Sequence, residues 1–433
     1  MPPLDPAPPP LAEALVAEHF TVSGADLQLG GRAVRELASC FGTPLFIYDG
    51  GVMRSCYRAL AKALEGFAHI HYSIKANPAP AIIRLFASEG AGFEIASVGE
   101  YRAARAADIA PENILFAGPA KRVSELEAVI ADGIGEIHLE SYEEIERVSA
   151  IGMRLGVAVP VCIRVNPVAS AQGGAMRMGG KPAPFGFDEE DLGNVVATVR
   201  ARSPLDLRGV HLFAGTQILD ADVLLTQWRH AIGVAGRVAS LAAIPLRTID
   251  LGGGLGIPYF SGEKALDLVR LSRGLPELKA LLRADPLLAE ARLVVEPGRF
   301  LAGPGGIYVV AINAVKTSRD TRFLVTDGGM HHHLAASGNL GQIIKRDYPI
   351  VAPAHMDASV RSPVTVVGPL CTPLDTLARK VELPELRADQ LIAILQSGAY
   401  GKSASPAGFL SQPAAAEILV DGGQIEIIHG GVE

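Results

Sequence analysis

From His69 to Gly298 the chain alternates short apolar runs with longer stretches whose apolar residues recur every three or four positions. The first pattern is that of strands buried on both faces, the second that of helices with one apolar face. Strands are expected at His69–Ile74, Phe93–Ser97, Ile114–Gly118, Glu136–Glu140, Val161–Asn166, Leu207–Gly215, Thr248–Gly254 and Arg292–Gly298. Helical patterns lie between them, as at Ala81–Glu89, Val98–Ala107, Val123–Ala131 and Tyr142–Gly152. Eight such strands spaced by helices match a (β/α)8 barrel, although an open doubly wound sheet would alternate in the same way.

The flanks follow another rhythm. A proline-rich arm (Met1 to Pro10) and a short helical pattern precede a strand-like run at Phe20–Leu29, and a second run, Leu45–Tyr48, closes at Asp49-Gly50 before a helical pattern from Gly51 to Leu64. Beyond Phe300, strands are expected at Ile307–Lys316, Arg322–Thr326, Val364–Val367, Leu391–Leu395, Ala416–Val420 and Gln424–His429, with few helices. Such a switch marks a second, mostly β domain. The expected organisation is α/β: a barrel over 46–302, and a β domain over 304–433 joined by residues 1–45.

Composition narrows the function. With 433 residues, 49% hydrophobic, there is material for a large core. A net charge of -7 with scattered basic residues argues against nucleic acid as a partner. No apolar run approaches the roughly 20 residues of a membrane span, and the N-terminus does not read as a signal peptide. Cys40, Cys56, Cys162 and Cys371 lie far apart, which indicates neither a disulfide frame nor a zinc site. A cytoplasmic protein is expected.

Three stretches carry candidate chemistry. In His71-Tyr72-Ser73-Ile74-Lys75-Ala76-Asn77-Pro78 a lysine stands near the end of a strand that Asn77-Pro78 breaks. At the C-terminal mouth of a barrel strand such an amine can form a Schiff base, whereas elsewhere it is a surface lysine. Gly252-Gly253-Gly254 ends another strand; consecutive glycines let backbone N–H groups approach a phosphate, or simply make a tight turn. Glu296-Pro297-Gly298-Arg299 ends the last strand and presents a carboxylate and a guanidinium, free to serve a ligand or each other. The run His331-His332-His333 suggests a metal only weakly, since neighbours on a strand point apart.

Together these stretches resemble the fold type III pyridoxal-phosphate enzymes, the ornithine and diaminopimelate decarboxylases. The resemblance runs from the Pro44–Asp49 segment to about Val420, with motifs in family order. Tyr72-Ser73-Ile74-Lys75-Ala76-Asn77 comes first, then Gly209-Val210-His211-Leu212-Phe213-Ala214-Gly215-Thr216-Gln217 and the triple glycine. Glu296-Pro297-Gly298-Arg299, Gly368-Pro369-Leu370-Cys371 and Gly398-Ala399-Tyr400 follow. The resemblance implies pyridoxal 5'-phosphate as cofactor and Lys75 as its Schiff-base lysine. It implies a cofactor site of Phe213, Thr216, Gly252, Gly253, Gly254, Glu296, Pro297, Gly298, Arg299 and Tyr400. Thr216, the glycines, Arg299 and Tyr400 would hold the phosphate, and Glu296 would face the pyridine nitrogen. Cys371 would be the proton donor, contributed by the second subunit of a homodimer with shared active sites; its bland reading is a buried apolar cysteine.

Four departures from the family pattern bear on the substrate. Phe213 stands where the family places a histidine on the cofactor face, and an apolar ring can still stack there. Cys371 is followed by Thr372-Pro373-Leu374-Asp375 instead of an immediate acidic residue. His331 to Ser337 replaces the segment that gives the diaminopimelate enzymes an arginine, and Ser405 to Pro413 replaces an Asn-Tyr-Asn type segment. The combination is similar to a side branch that includes a decarboxylase of carrier-protein-bound glutamate from butirosin (aminoglycoside) biosynthesis and exosortase-associated relatives near polysaccharide-export genes. The expected activity is decarboxylation of a small-molecule or carrier-protein-linked amino acid. The alternatives are diaminopimelate decarboxylation, amino-acid racemisation, and non-catalytic pyridoxal-phosphate binding.

Overall fold

The computed structural model describes residues 10–168, 176–177, 182–213, 215–340, 342 and 344–430. The proline-rich start and Ala214 of the Phe213–Thr216 motif lie outside the described residues. The chain forms two units, one of residues 57–257 and 265–300, the other of 1–56, 258–264 and 301–433.

The first unit is a closed parallel barrel. Its strands are β1 (His69–Ser73), β2 (Gly92–Ile95), β3 (Ile114–Phe116), β4 (Glu136–Leu139), β5 (Val159–Asn166), β6 (Leu205–Leu212), β7 (Thr248–Asp250) and β8 (Arg292–Val295). Each pairs with the next, and β8 returns to β1 through Val294↔His69 and Val295↔Ile70, which excludes the open sheet. The helices between them start where a side chain can take an otherwise unpaired N–H. The Ser97 hydroxyl accepts from Glu100 N–H at 3.2 Å before Val98–Ala106, and Ser141 accepts from Glu144 N–H at 3.2 Å before Tyr142–Leu155. Gly209 lets β6 and β7 approach, since a Cβ there would lie 1.7 Å from the Thr248 carbonyl oxygen.

The barrel interior is not wholly apolar. Glu136 is buried and accepts from the Thr248 hydroxyl at 2.6 Å and from the Cys162 thiol at 3.1 Å. Buried polar groups must be satisfied in this way or lose the free energy of their hydration.

The second unit is built on a mixed sheet. Leu45–Asp49 lies between Gly306–Ser318, to which it is antiparallel, and Ala416–Asp421, to which it is parallel. The sequence reading places this strand at the start of the barrel segment; its pairing puts it in the other sheet. All five of its residues are buried, and such a run carries no mark of which sheet will cover it. The Phe20–Leu29 run becomes a small sheet of Thr21–Ser23, Asp26–Leu29 and Arg32–Ala33, with Leu27 and Leu29 in the same core as Ile47, Val309 and Ile418. Among the described residues no helix is long and apolar enough to cross a membrane.

Candidate active site

The C-terminal rim of the barrel gathers most of the expected residues. β1 ends at Ser73, and Ile74–Ala76 makes one tight helical turn that lifts Lys75. The Asn77 side chain then accepts from Ala79 N–H at 3.1 Å and stops the turn, as the Asn-Pro break requires. The Lys75 amine lies 3.1 and 3.2 Å from the two carboxylate oxygens of Glu94 on β2. Ser73 adds a hydroxyl bond to the same carboxylate at 2.5 Å. Glu94 is only 1% exposed at its side chain while Lys75 is 47% exposed, so a dry carboxylate aims an amine that reaches the open rim.

The β7 and β8 turns stand beside it. Gly252 and Gly254 take φ of +69° and +99°, and a Cβ at either would meet a carbonyl oxygen at 2.5 or 2.6 Å. Gly252 packs against Phe213, and its carbonyl accepts from Glu296 N–H at 2.9 Å. Pro297 accepts from Ser73 N–H at 3.3 Å, and Gly298 packs on Ala76, so the Glu296–Arg299 turn rests on the Lys75 turn. Glu296 is buried, and its Oε1 has no hydrogen-bond partner among the described residues. Gly215-Thr216 pairs with Met176–Arg177, and Arg299 opens the short helix that follows β8. Cys371 and Tyr400 belong to the other unit, where Cys371 is an exposed free thiol, not the buried cysteine of the bland reading.

Several rim residues were not anticipated. Glu94, Glu140 and Arg164 are charges at or near the ends of apolar runs, and that interruption was their signal. Arg164 donates to Glu140 at 2.6 Å, and buried Lys121 donates to Glu144 at 2.8 Å and to the Gly118 and His138 carbonyls. Beneath the rim His138, His211, Asp250 and Glu296 form a buried cluster. His331 to His333 lie in a turn, not a strand. His332 meets the Tyr308 hydroxyl and the Pro413 carbonyl, and His333 the Ser397 hydroxyl. Burial pushes His332 down to about 4 and His333 to about 3, so neither is a cation at neutral pH.

A strand-end turn of glycines, an arginine, an amine on a dry carboxylate and a buried carboxylate fit pyridoxal phosphate. Fold and site together define a pyridoxal-dependent barrel enzyme. The chain belongs to the pyridoxal-dependent decarboxylases, whose pyridoxal binding domain matches residues 51–303. It is 36% identical over 406 residues to the L-glutamyl-[BtrI acyl-carrier protein] decarboxylase of Niallia circulans, covering 93% of this chain and 94% of that one. It is 31% identical over 411 residues to the diaminopimelate decarboxylase of Aquifex aeolicus, covering 93% of each. Among solved structures, diaminopimelate decarboxylase of Helicobacter pylori in complex with L-lysine superposes with a TM-score of 0.81 at 29% identity, over 92% of this chain and 96% of that one. The protein is therefore a carboxy-lyase, which sets aside the racemase and the non-catalytic binder.

Proposed function

We propose that this enzyme decarboxylates an amino acid whose distal end is uncharged, with Lys75 as the cofactor's lysine and Glu296 facing its ring nitrogen. The observation that carries the site assignment is the buried, unpartnered Glu296 Oε1 on the same rim as the Lys75–Glu94 pair. When bound, pyridoxal phosphate supplies the sink for the electron pair released with CO2, and a carboxylate at the ring nitrogen strengthens that sink. Thr216, Gly252 to Gly254, Arg299 and Tyr400 would hold the phosphate, Phe213 would lie beside the ring, and Cys371 of a second subunit would supply the proton for the substrate's α-carbon.

The substrate reading rests on what would meet the distal end. A free second ammonium or carboxylate buried without a partner is costly. Thr372 follows Cys371, and the turn after Gly329 offers neutral histidines, Ala335, Ala336 and Ser337 in place of a cation. The relative that acts on a carrier-linked glutamyl group supports an amino acid tethered through an amide or thioester. A CO2-release screen of free against carrier-linked amino acids tests this. Preferential turnover of carrier-linked glutamate is expected, and efficient turnover of meso-diaminopimelate would replace the reading with diaminopimelate decarboxylation.

A further inference from the structure

The segment after β6 and the turn after β7 are joined backbone to backbone. Ile218 N–H donates to the Gly254 carbonyl and Gly256 N–H to the Ile218 carbonyl, each at 2.9 Å, which makes a short parallel bridge of Ile218 and Leu255. The approach leaves no room for side chains between them. A Cβ on Gly254 would lie 2.6 Å from the Gly215 carbonyl oxygen, and one on Gly256 would lie 2.9 Å from the Gln217 carbonyl carbon. Ile218 and Leu255 are both buried, so the bridge is closed to water.

One side chain completes the junction. Gln217 donates through Nε2 to the Ile257 carbonyl, and its Oε1 accepts from Ile257 N–H at 3.3 Å. A primary amide thus meets both backbone groups of a single residue, as a strand partner would. To make these bonds Gln217 holds a φ of +59°, a conformation that L residues seldom adopt and keep only where the surroundings over-determine it.

The place of Ile257 in the chain gives the clamp its purpose. Ile257 is the last residue before the chain leaves the barrel unit, which it re-enters at Ala265, and the next helix begins only at Leu268. No barrel strand or helix directly follows the glycine turn to hold its end. Thr216 stands immediately before Gln217, and Gly252 to Gly254 stand shortly before Ile257. The clamp therefore ties together the two segments, from different strands, that the cofactor reading assigns to the phosphate.

We propose that Gln217 is a positioning residue for the cofactor phosphate: through Ile257 it fixes the spacing of the Gly215–Thr216 segment and the Gly252–Gly254 turn, so that both address one phosphate. The inference rests on the cofactor reading given above. A phosphate gathers donors from both segments only at the right separation, and a separation set before binding spares the ligand the cost of ordering them. Affinity for the phosphate should depend on Gln217, and affinity for the ring and aldehyde should not.

The test compares pyridoxal phosphate with pyridoxal, which lacks the phosphate, as ligands of the cofactor-free wild type and of Gln217→Met. Methionine keeps the length and the zero charge and removes both bonds. The affinity for pyridoxal phosphate should fall about tenfold in the variant, while that for pyridoxal stays within about twofold of the wild type. Equal losses for the two ligands would make Gln217 a merely structural residue, and no loss for either would remove the clamp; both outcomes overturn the proposal. Amide exchange on the cofactor-free protein is the second measurement. The Ile257 N–H should exchange faster in Gln217→Met, and wild-type protection would refute the clamp. Should Gln217→Met not fold, Gln217→Asn, which suits a positive φ but stops one methylene short, serves in both measurements. If borohydride traps no cofactor on wild-type Lys75, the cofactor reading fails; trapping there, with an unchanged ratio of affinities in the variant, fails the clamp alone.

Discussion

The Lys75 amine rests on both oxygens of Glu94, at 3.1 and 3.2 Å, from a carboxylate that is itself closed to water. Such a pair places the amine and also provides a group to accept or return its proton. Glu94→Gln keeps the shape and removes the charge. CO2 release should fall about 100-fold, and borohydride trapping of cofactor on Lys75 should slow in parallel. Unchanged trapping with unchanged turnover would show that Glu94 is structural.

Gly298 carries the contact between the two turns. A Cβ there would lie 2.8 Å from Ala76 Cβ and 3.1 Å from the Ser73 carbonyl oxygen, and neither is the free end of a flexible chain. Gly298→Ala should cost about 1–3 kcal/mol in urea unfolding and should weaken cofactor binding by shifting the Lys75 turn. Wild-type affinity with full stability would mean that the turns are not coupled.

Asp375 ties the Cys371 loop to the turn before the histidines. Its buried carboxylate accepts from Met330 N–H at 2.7 Å and from Leu370 N–H at 2.9 Å. Asp375→Ala leaves both amides unpaired and should cost about 3 kcal/mol, with Asp375→Asn recovering part of it. Thermal and urea midpoints of the three proteins check this.

The buried histidines set the acid response. Burial pushes His71, His211 and His333 to about 3 and His332 to about 4, below an unfolded value near 6.5. A depressed folded pKa means that the unfolded chain takes the proton first. Their contribution is intact above pH 6.5 and is lost as the pH falls toward 3, each at on the order of 1 kcal/mol per pH unit. Glu100 acts oppositely. Burial raises it to about 7, so its contribution is full below its unfolded value and fades as the pH rises through 7. Asp250, whose carboxyl burial also raises, opposes them as Glu100 does, but His71, His138, His211, His332 and His333 outnumber the two, so urea midpoints should fall from pH 6.5 to 5. His71→Gln should flatten that slope by one histidine's share, and an unaltered slope would mean that His71 is charged in the folded protein.

The strand–helix order was legible because all eight strands are short apolar runs between helical stretches, whereas closure, which the order shares with an open sheet, was decided by the β8–β1 pairing. The Lys75, Gly252–Gly254 and Glu296–Arg299 turns were legible because Asn-Pro, glycine runs and Pro-Gly restrict the backbone whatever surrounds them. Leu45–Asp49 was not, since its partners, Gly306–Ser318 and Ala416–Asp421, are more than 250 positions away in the chain.

The amino-acid sequence by itself determined the strand–helix rhythm, the turns that present lysine, glycines and carboxylate at strand ends, and through their order the decarboxylase family. Only the tertiary structure decided what those groups face. Glu94 becomes the seat of Lys75, and Asp250, His138 and His211 cluster with Glu296, because barrel closure brings inward side chains from distant strands into one dry interior. Local pattern states that a residue points inward. Which neighbour it meets there, and therefore its charge, depends on strand register, which no single stretch of sequence contains.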